Sequence, residues 1–576
     1  MSAGEAPPLK PPGTREFTIR ALIAGVVVAA IMGGSYPYIV LKLGFGPNVS
    51  VVAAFFGYLL LGLLFRDFNR WENNIVQTAG TSAAQTAFMC VMLAAYDLVA
   101  QKTGLATPTA FEAFCWLTAA SVLGILLAVP MRRHYIVDEQ LGFPDGIAAA
   151  ETITVLDSRG PEARQAALAL FGATAVSAVG WLLTTKWGGH VLPEVVFATM
   201  FGLAASATGA GFAVSLLGIG SGMLVGNRIN ISMAVGAVIA WIIVPDLLVD
   251  EGIISEVKKR GEVLLWIMWP GTGMLIAGGL TALLLKWRTL ARTFSTLSSK
   301  SIDHGEFPLR WVGIGAALAT AALMVIQYAF FDLPLWLTLI AVVLSVPLML
   351  VGLRVLGETN WGPISQLTNS MQAIFAGLAP GDLGANLAAS GTTGTIATQS
   401  EAIMQDYKAG HIIGSTPRFL TYSQLIAAPI GAAAVAIAYP LLKDTYGVGG
   451  DGGLSAPIAQ RIANFGEVMT KGLDALPKGA LLFMLIGAVV GILITLGEVK
   501  WKKYLPSATG LGIGMMVPGA VVFTMLIGGV VMYAWNRTHR ASADRLGAPL
   551  ASGLIAGEAV MAIVIPILIA VKLISP

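Results

Sequence analysis

Long apolar runs broken by short polar stretches dominate the chain. A bilayer core of about 30 Å needs about 20 mostly apolar helical residues per crossing. That window fits residues 19–38, 46–65, 73–96, 110–131, 164–184, 193–224, 230–248 and 263–287. It fits again at 309–330, 335–353, 361–380, 383–404, 414–440, 478–497, 508–534 and 548–574. The pattern predicts an all-α polytopic membrane protein with about 16 transmembrane helices. Asn, Gln, Thr, Ser and Gly interrupt the windows at 73–96, 361–380 and 383–404. Segments 140–155 and 384–404 read as re-entrant or broken helices, since irregular backbone survives at membrane depth only where protein or a water-filled cavity surrounds it.

Composition agrees. Hydrophobic residues make up 56% of the 576 positions and charged residues 12%, with a mean hydropathy of +0.76; a soluble domain carries about 25% charged residues. Lys and Arg collect in loops that place both termini in the cytoplasm, with residues 1–18 as a polar, proline-rich cytoplasmic tail. The expected location is the inner (cytoplasmic) membrane, multi-pass, with the lipid bilayer as a partner; homo-oligomerisation stays open. A net charge of +3 without basic-aromatic runs speaks against a nucleic-acid partner. Cys90 and Cys115 lie in apolar stretches, and the five histidines show no metal-ligand spacing. No P-loop pattern is present. The expectation is therefore no enzyme, no metal and no cofactor, with transport driven by an ion gradient or passive.

The chain also repeats itself. Gly218-Ile-Gly-Ser-Gly-Met-Leu-Val225 aligns with Gly510-Leu-Gly-Ile-Gly-Met-Met-Val517, and the likeness continues into Met233/Met525 and Gly236/Gly528. Leu275-Ile-Ala-Gly278 recurs as Leu554-Ile-Ala-Gly557, and Glu72-Asn-Asn has an echo in Glu358-Thr-Asn360. This reading gives two similar halves of about eight helices each, residues 19–300 and 301–576. With an even number of crossings per half, the halves relate by an axis along the membrane normal, and a solute site at their interface is the default.

Acids and amides within apolar runs are costly, and they mark solute or ion pathways. Glu72, Asn73, Asn74, Gln77 and Thr78 fall in one such run, and Glu358, Thr359 and Asn360 in its counterpart. Glu151 ends a short Ala-rich stretch opened by Pro144, which resembles a half-helix aimed at an anion. Around Tyr36-Pro37-Tyr38 the proline can break the first span, and the tyrosines offer hydroxyls and ring faces. Segment 384–406 is rich in hydroxyls and glycine and carries Asn386, Gln399 and Glu401. These are the candidate substrate-binding residues. Glu401 is also a candidate proton-coupling group, together with Glu558, whose repeat counterpart is the neutral Gly279.

Glu72-Asn-Asn-x-x-Gln-Thr, Phe143-Pro-x-Gly-x-Ala-x-Ala-Glu151, Gly357-Glu-Thr-Asn360, Asp406-x-Lys408-x-Gly410 and Gly553-Leu-Ile-Ala-Gly-Glu558 stand in this order along the chain. The set resembles the oligopeptide transporter (OPT) superfamily, in a compact prokaryotic form. The resemblance implies a secondary transporter of about sixteen spans, driven by protons, for short peptides, glutathione-like peptides, or metal chelates of the nicotianamine and phytosiderophore kind. The Ser-Pro-Tyr-Ser-Glu-Val-Arg signature of the peptide branch is absent from the first span, where Gly34-Ser-Tyr-Pro-Tyr38 stands instead. The main expectation is proton-coupled symport of small peptides or peptide-like compounds. A metal-chelate importer is the nearest alternative, and a passive channel is the alternative of another class.

Overall fold

The computed structural model describes residues 10–11, 13–43, 49–62, 64–65, 67–157, 161–185, 189, 191–193, 195–196, 210–253, 260–285, 305–359, 362, 364–449, 453–471, 479–501, 504–570 and 572–574. In chain order the helices begin with α1 (Ile19–Leu43), α2 (Val49–Gly57, continued by a π turn over Tyr58–Gly62), α3 (Arg70–Phe88) and α4 (Cys90–Thr103). Next come α5 (Ala110–Ala128), α6 (Pro144–Asp157) and α7 (Pro161–Thr184). A short antiparallel pair follows, β1 (Val195–Val196) with β2 (Phe212–Ala213), Val195 lying opposite Ala213. After it come α8 (Leu216–Val225), α9 (Asn227–Val238), α10 (Val244–Asp250), α11 (Arg260–Leu285), α12 (Leu309–Phe331), α13 (Leu335–Thr359) and α14 (Ile364–Leu378). The last are α15 (Leu383–Ile413), α16 (Pro417–Tyr446), α17 (Pro457–Lys471), α18 (Ala480–Trp501), α19 (Ala508–Met516), α20 (Gly519–Thr538) and α21 (Arg540–Ala570).

Among the described residues ten helical segments are long and apolar enough to cross a membrane, and two further apolar helices are shorter. The chain is an all-α polytopic membrane protein. Several expected spans take another form. Residues 193–224 are not one helix: their described part holds the β pair, and Ser215 then caps α8 by accepting from the Gly218 amide. Segment 508–534 splits into α19 and α20, because Pro518 drives the residue before it into extended backbone (Val517 φ −77°, ψ 142°). Segment 73–96, by contrast, lies within a single candidate span, Arg70–Thr103, with a turn at Met89 between α3 and α4. The helix over 140–155 has 14 residues, about 21 Å of rise, too short to cross.

The expected break within 384–404 is absent, since α15 runs unbroken for 31 residues between an Asp382 cap and the left-handed Gly414. Its hydroxyls do not disrupt it. Thr392, Thr393, Thr395, Thr398 and Ser400 each donate to the carbonyl four residues back. Nor does Pro37 end the first helix, which continues to Leu43.

The chain folds into two compact units. The first comprises Met1–Pro37, Asn48–Arg164 and Lys286–Pro440. Its axis is α15, buried along nearly its whole length, with α3, α5, α6, α13 and α14 packed around it. Gly124 of α5 and Gly146 of α6 allow close approach to it, since a Cβ on Gly124 would meet the Ile396 backbone at 2.6 Å and one on Gly146 would collide with the Gln405 carbonyl.

The second unit comprises Tyr38–Pro47, Gln165–Leu285 and Leu441–Pro576. Here the residues of the Gly-rich repeat make reciprocal contacts. A Cβ on Gly222 of α8 would collide with the Met525 carbonyl of α20, and one on Gly514 of α19 with the Met233 carbonyl of α9. Gly528 faces the Ile219 carbonyl as Gly236 faces that of Leu511. Ser215 and Ser507 cap α8 and α19 in the same way. Helix α8 thus packs on α20 as α19 packs on α9.

Candidate functional site

In the first unit the polar face of α3 meets α15. Gln77 is fully buried; its amide donates to Asp406 Oδ1 at 2.6 Å and to Thr81 at 2.9 Å, and it accepts from Asn74 at 2.8 Å. Gln424 of α16 donates to Asp406 Oδ2 at 2.6 Å. Both oxygens of this buried carboxyl are thus held by neutral amides. One level along, Gln399 donates to Thr86 at 2.6 Å and to the Ser82 carbonyl at 2.9 Å. Asn386 donates to the Gln372 carbonyl at 2.7 Å.

Other polar atoms in this unit are buried with no hydrogen-bond partner among the described residues. They include both amide atoms of Asn73, Asn74 Oδ1 and Thr78 Oγ1 on α3, both amide atoms of Asn369 on α14, Asn386 Oδ1 on α15 and Gln424 Oε1 on α16. Glu401 Oε1 is another, and Gly362 lies so close to that carboxyl that no Cβ would fit. Unmade hydrogen bonds of buried groups are expensive, and they concentrate along α3, α14, α15 and α16.

Glu72 is different. It is fully buried, accepts from Thr18 at 2.6 Å, and forms a two-pronged ion pair with Arg20 at 2.8 and 2.7 Å. It also sits in the first turn of α3, where the helix dipole favours a carboxylate. Arg20 bonds Asp67 at 2.6 Å as well, and that bond holds the exposed Asp67 carboxyl below the usual carboxylate range. Glu72 therefore anchors α1 to the start of α3, its oxygens already engaged.

In the second unit Glu558 is also occupied. Lys42 Nζ lies 2.5 Å from its Oε1, while Ser215 Oγ at 2.8 Å and the Leu217 amide at 3.2 Å donate to its Oε2. Lys42 also donates to the Tyr38 hydroxyl at 3.0 Å. The carboxylate thus joins α1, α8 and α21, set at the amide-rich start of α8.

Tyr36 is buried in the first unit and Tyr38 in the second. Glu151 lies on the exposed side of α6, and near the start of that helix the Gly146 amide donates to Gln405 Oε1 at 2.7 Å and to the Phe143 carbonyl at 3.0 Å rather than being left open for an anion. The side chains of Glu358 and Thr359, and all of Asn360, lie outside the described residues. Sequence reasoning did not name Arg20, Lys42, Asn369, Asp406 or Gln424 as candidate site residues, although Asp406 stands in one of the motifs that carry the resemblance. Asp406 carried a signal, a second acid five residues beyond Glu401 on a helix with few charges.

Comparison with known proteins completes the picture. The family model described as OPT oligopeptide transporter protein matches residues 16–569. The chain is similar to the metal-nicotianamine transporter YSL2 of Arabidopsis thaliana, 24% identical over 95% of this chain and 92% of that protein. It is 26% identical to the iron-phytosiderophore transporter YSL15 of Oryza sativa subsp. japonica, over 93% and 89% of the two chains. With the iron-phytosiderophore transporter yellow stripe 1 of Zea mays it shares 24% identity over 93% and 89%.

Proposed function

The chain belongs to the OPT oligopeptide transporter family, and from that premise we propose that it is a proton-coupled importer of metal chelates of small amino-carboxylate ligands. The relatives named as metal-nicotianamine and iron-phytosiderophore transporters match nearly its whole length, which favours chelates over the small peptides expected first. The polar axis of the first unit carries the mechanistic part of the reading. Helix α15 holds buried hydroxyls, amides and two carboxyls in a chain that is otherwise strongly apolar. Asn73, Asn74, Thr78, Asn386 and Asn369 contribute atoms with unmet hydrogen bonds, as a hydrophilic cargo requires.

Glu401 carries the coupling proton in this reading. Its Oε1 is buried with neither a cation nor a donor among the described residues, whereas Glu558 and Glu72 are each bound to a basic partner. The protein sits in the cytoplasmic membrane with both termini inside, and α15 adds to the crossings that hydropathy detects.

The test is uptake of radiolabelled iron–nicotianamine into proteoliposomes under an imposed pH gradient. Wild-type protein accumulates the label, and a protonophore abolishes accumulation. Glu401→Gln loses accumulation but keeps exchange of label between the two sides. Full accumulation by Glu401→Gln removes that residue from coupling. Uptake of di- to hexapeptides or glutathione in place of the chelate restores the peptide reading.

A further inference from the structure

Helix α17 of the second unit is out of keeping with its surroundings. It is polar, yet most of its residues are buried. Gln460, Asn464 and Glu467 occupy positions i, i+4 and i+7, which share one helix face, Arg461 lies beside that face, and the exposures of Gln460, Arg461, Asn464 and Glu467 are 8, 4, 3 and 9%. Arg461 is the exceptional member. Among the described residues its Nε and Nη2 are buried without a hydrogen-bond partner, and none forms an ion pair with it. Burial pushes its pKa down to about 10, so at neutral pH the guanidinium remains charged.

The backbone around this cation is well anchored. Ala456, at the left-handed φ of +40°, donates its amide to the Leu41 carbonyl at 2.7 Å, and Ser455 Oγ donates to the Lys42 carbonyl at 2.9 Å. Gln460 donates back to the Ser455 carbonyl at 2.8 Å. The start of α17 is thereby fixed to the end of α1, and Arg461 sits one turn along a positioned helix rather than on a free loop.

A buried guanidinium left unpaired is strongly unfavourable; its planar fork pairs in a two-pronged way with carboxylate or phosphate, and the cargo class proposed above carries carboxylates. We propose that Arg461 receives a carboxylate of the transported solute. A carboxylate that ligates a metal through one oxygen still offers the second oxygen to a guanidinium, so a chelate and a free peptide terminus both suit the site. The inference rests on the transporter reading above, and of the two cargo classes it needs only that the cargo carry a carboxylate.

The experiment uses the full chain with Arg461→Met and Arg461→Lys. The probes are iron–nicotianamine, and trialanine with a free or an amidated C-terminus. Without solute, Arg461→Met is expected to melt no lower than wild type, because it removes a charge that has no partner. With solute, KM for the carboxylate-bearing probe rises about 10- to 100-fold in Arg461→Met, the loss expected for a charged hydrogen bond. Vmax changes less, and Arg461→Lys recovers part of the affinity. An Arg461→Met protein that fails to fold or melts well below wild type shows the arginine to be structural and overturns the proposal. So does unchanged KM and an unchanged solute-induced rise in melting temperature. If free-acid trialanine is carried in an Arg461-dependent way and the chelate is not, the chelate reading fails and the Arg461 assignment stands. If wild type responds to no carboxylate probe, both fall.

Discussion

A buried acid is conspicuous in an apolar chain, but its role depends on what faces it. Glu72 has Arg20, Glu558 has Lys42, Asp406 has two amides, and Glu401 Oε1 has no partner among the described residues. Breaking a buried ion pair from one side leaves the other charge unpaired, at a cost of about 3–5 kcal/mol. Arg20→Ala is therefore expected to destabilise the protein by about that amount, read as loss of thermal stability in detergent. Lys42 and Glu558 allow a stricter check. Glu558→Gln and Lys42→Met should each lower the melting temperature, while the double variant loses much less than their sum. Additive losses would mean that the two do not act as a pair. Glu72, Glu401 and Glu558 were legible in the sequence because burial penalises acids so heavily, whereas Asp406 was not named as a site residue. The partners of Glu72 and Glu558 were not legible, since Arg20 and Glu72 stand 52 positions apart and Lys42 and Glu558 stand 516 apart.

Among the elements, the Gly-rich repeat was readable and its purpose was not. Matching glycines at 222 and 514 admit the carbonyls of Met525 and Met233, a contact between helices that composition alone leaves undefined. Because the two contacts are reciprocal, Gly222→Val and Gly514→Val should destabilise to a similar degree, about 3 kcal/mol or more where backbone must move aside. Thermal unfolding of the two variants side by side checks this, and a loss confined to one of them would show that the contacts are not equivalent. The reading of 508–534 as one helix failed for a local reason, since Pro518 stops α19 although hydropathy continues across it. The reading of 384–404 as broken failed for the opposite reason. Its Thr and Ser side chains turn inward to their own helix and need no water.

For the whole molecule, α15 decides how the chain threads the bilayer. A window tuned to lipid-facing helices undervalues it, because protein rather than lipid surrounds it on all sides. Its 31 residues rise about 46 Å, well beyond the ~30 Å hydrocarbon core. An unbroken helix of that length, set across the membrane, ends on the face opposite its start, whereas a re-entrant segment returns to the same face. Pro380 and Arg418 are exposed just outside its two ends. In a protein with Cys90 and Cys115 replaced by alanine, Pro380→Cys and Arg418→Cys should react with a membrane-impermeant maleimide from opposite sides. One is labelled in intact cells, and the other only after permeabilisation. Labelling of both from one side would return α15 to the re-entrant class. It would also place the Glu401 carboxyl on a segment open to a single compartment, where a proton could bind and leave but could not be carried across.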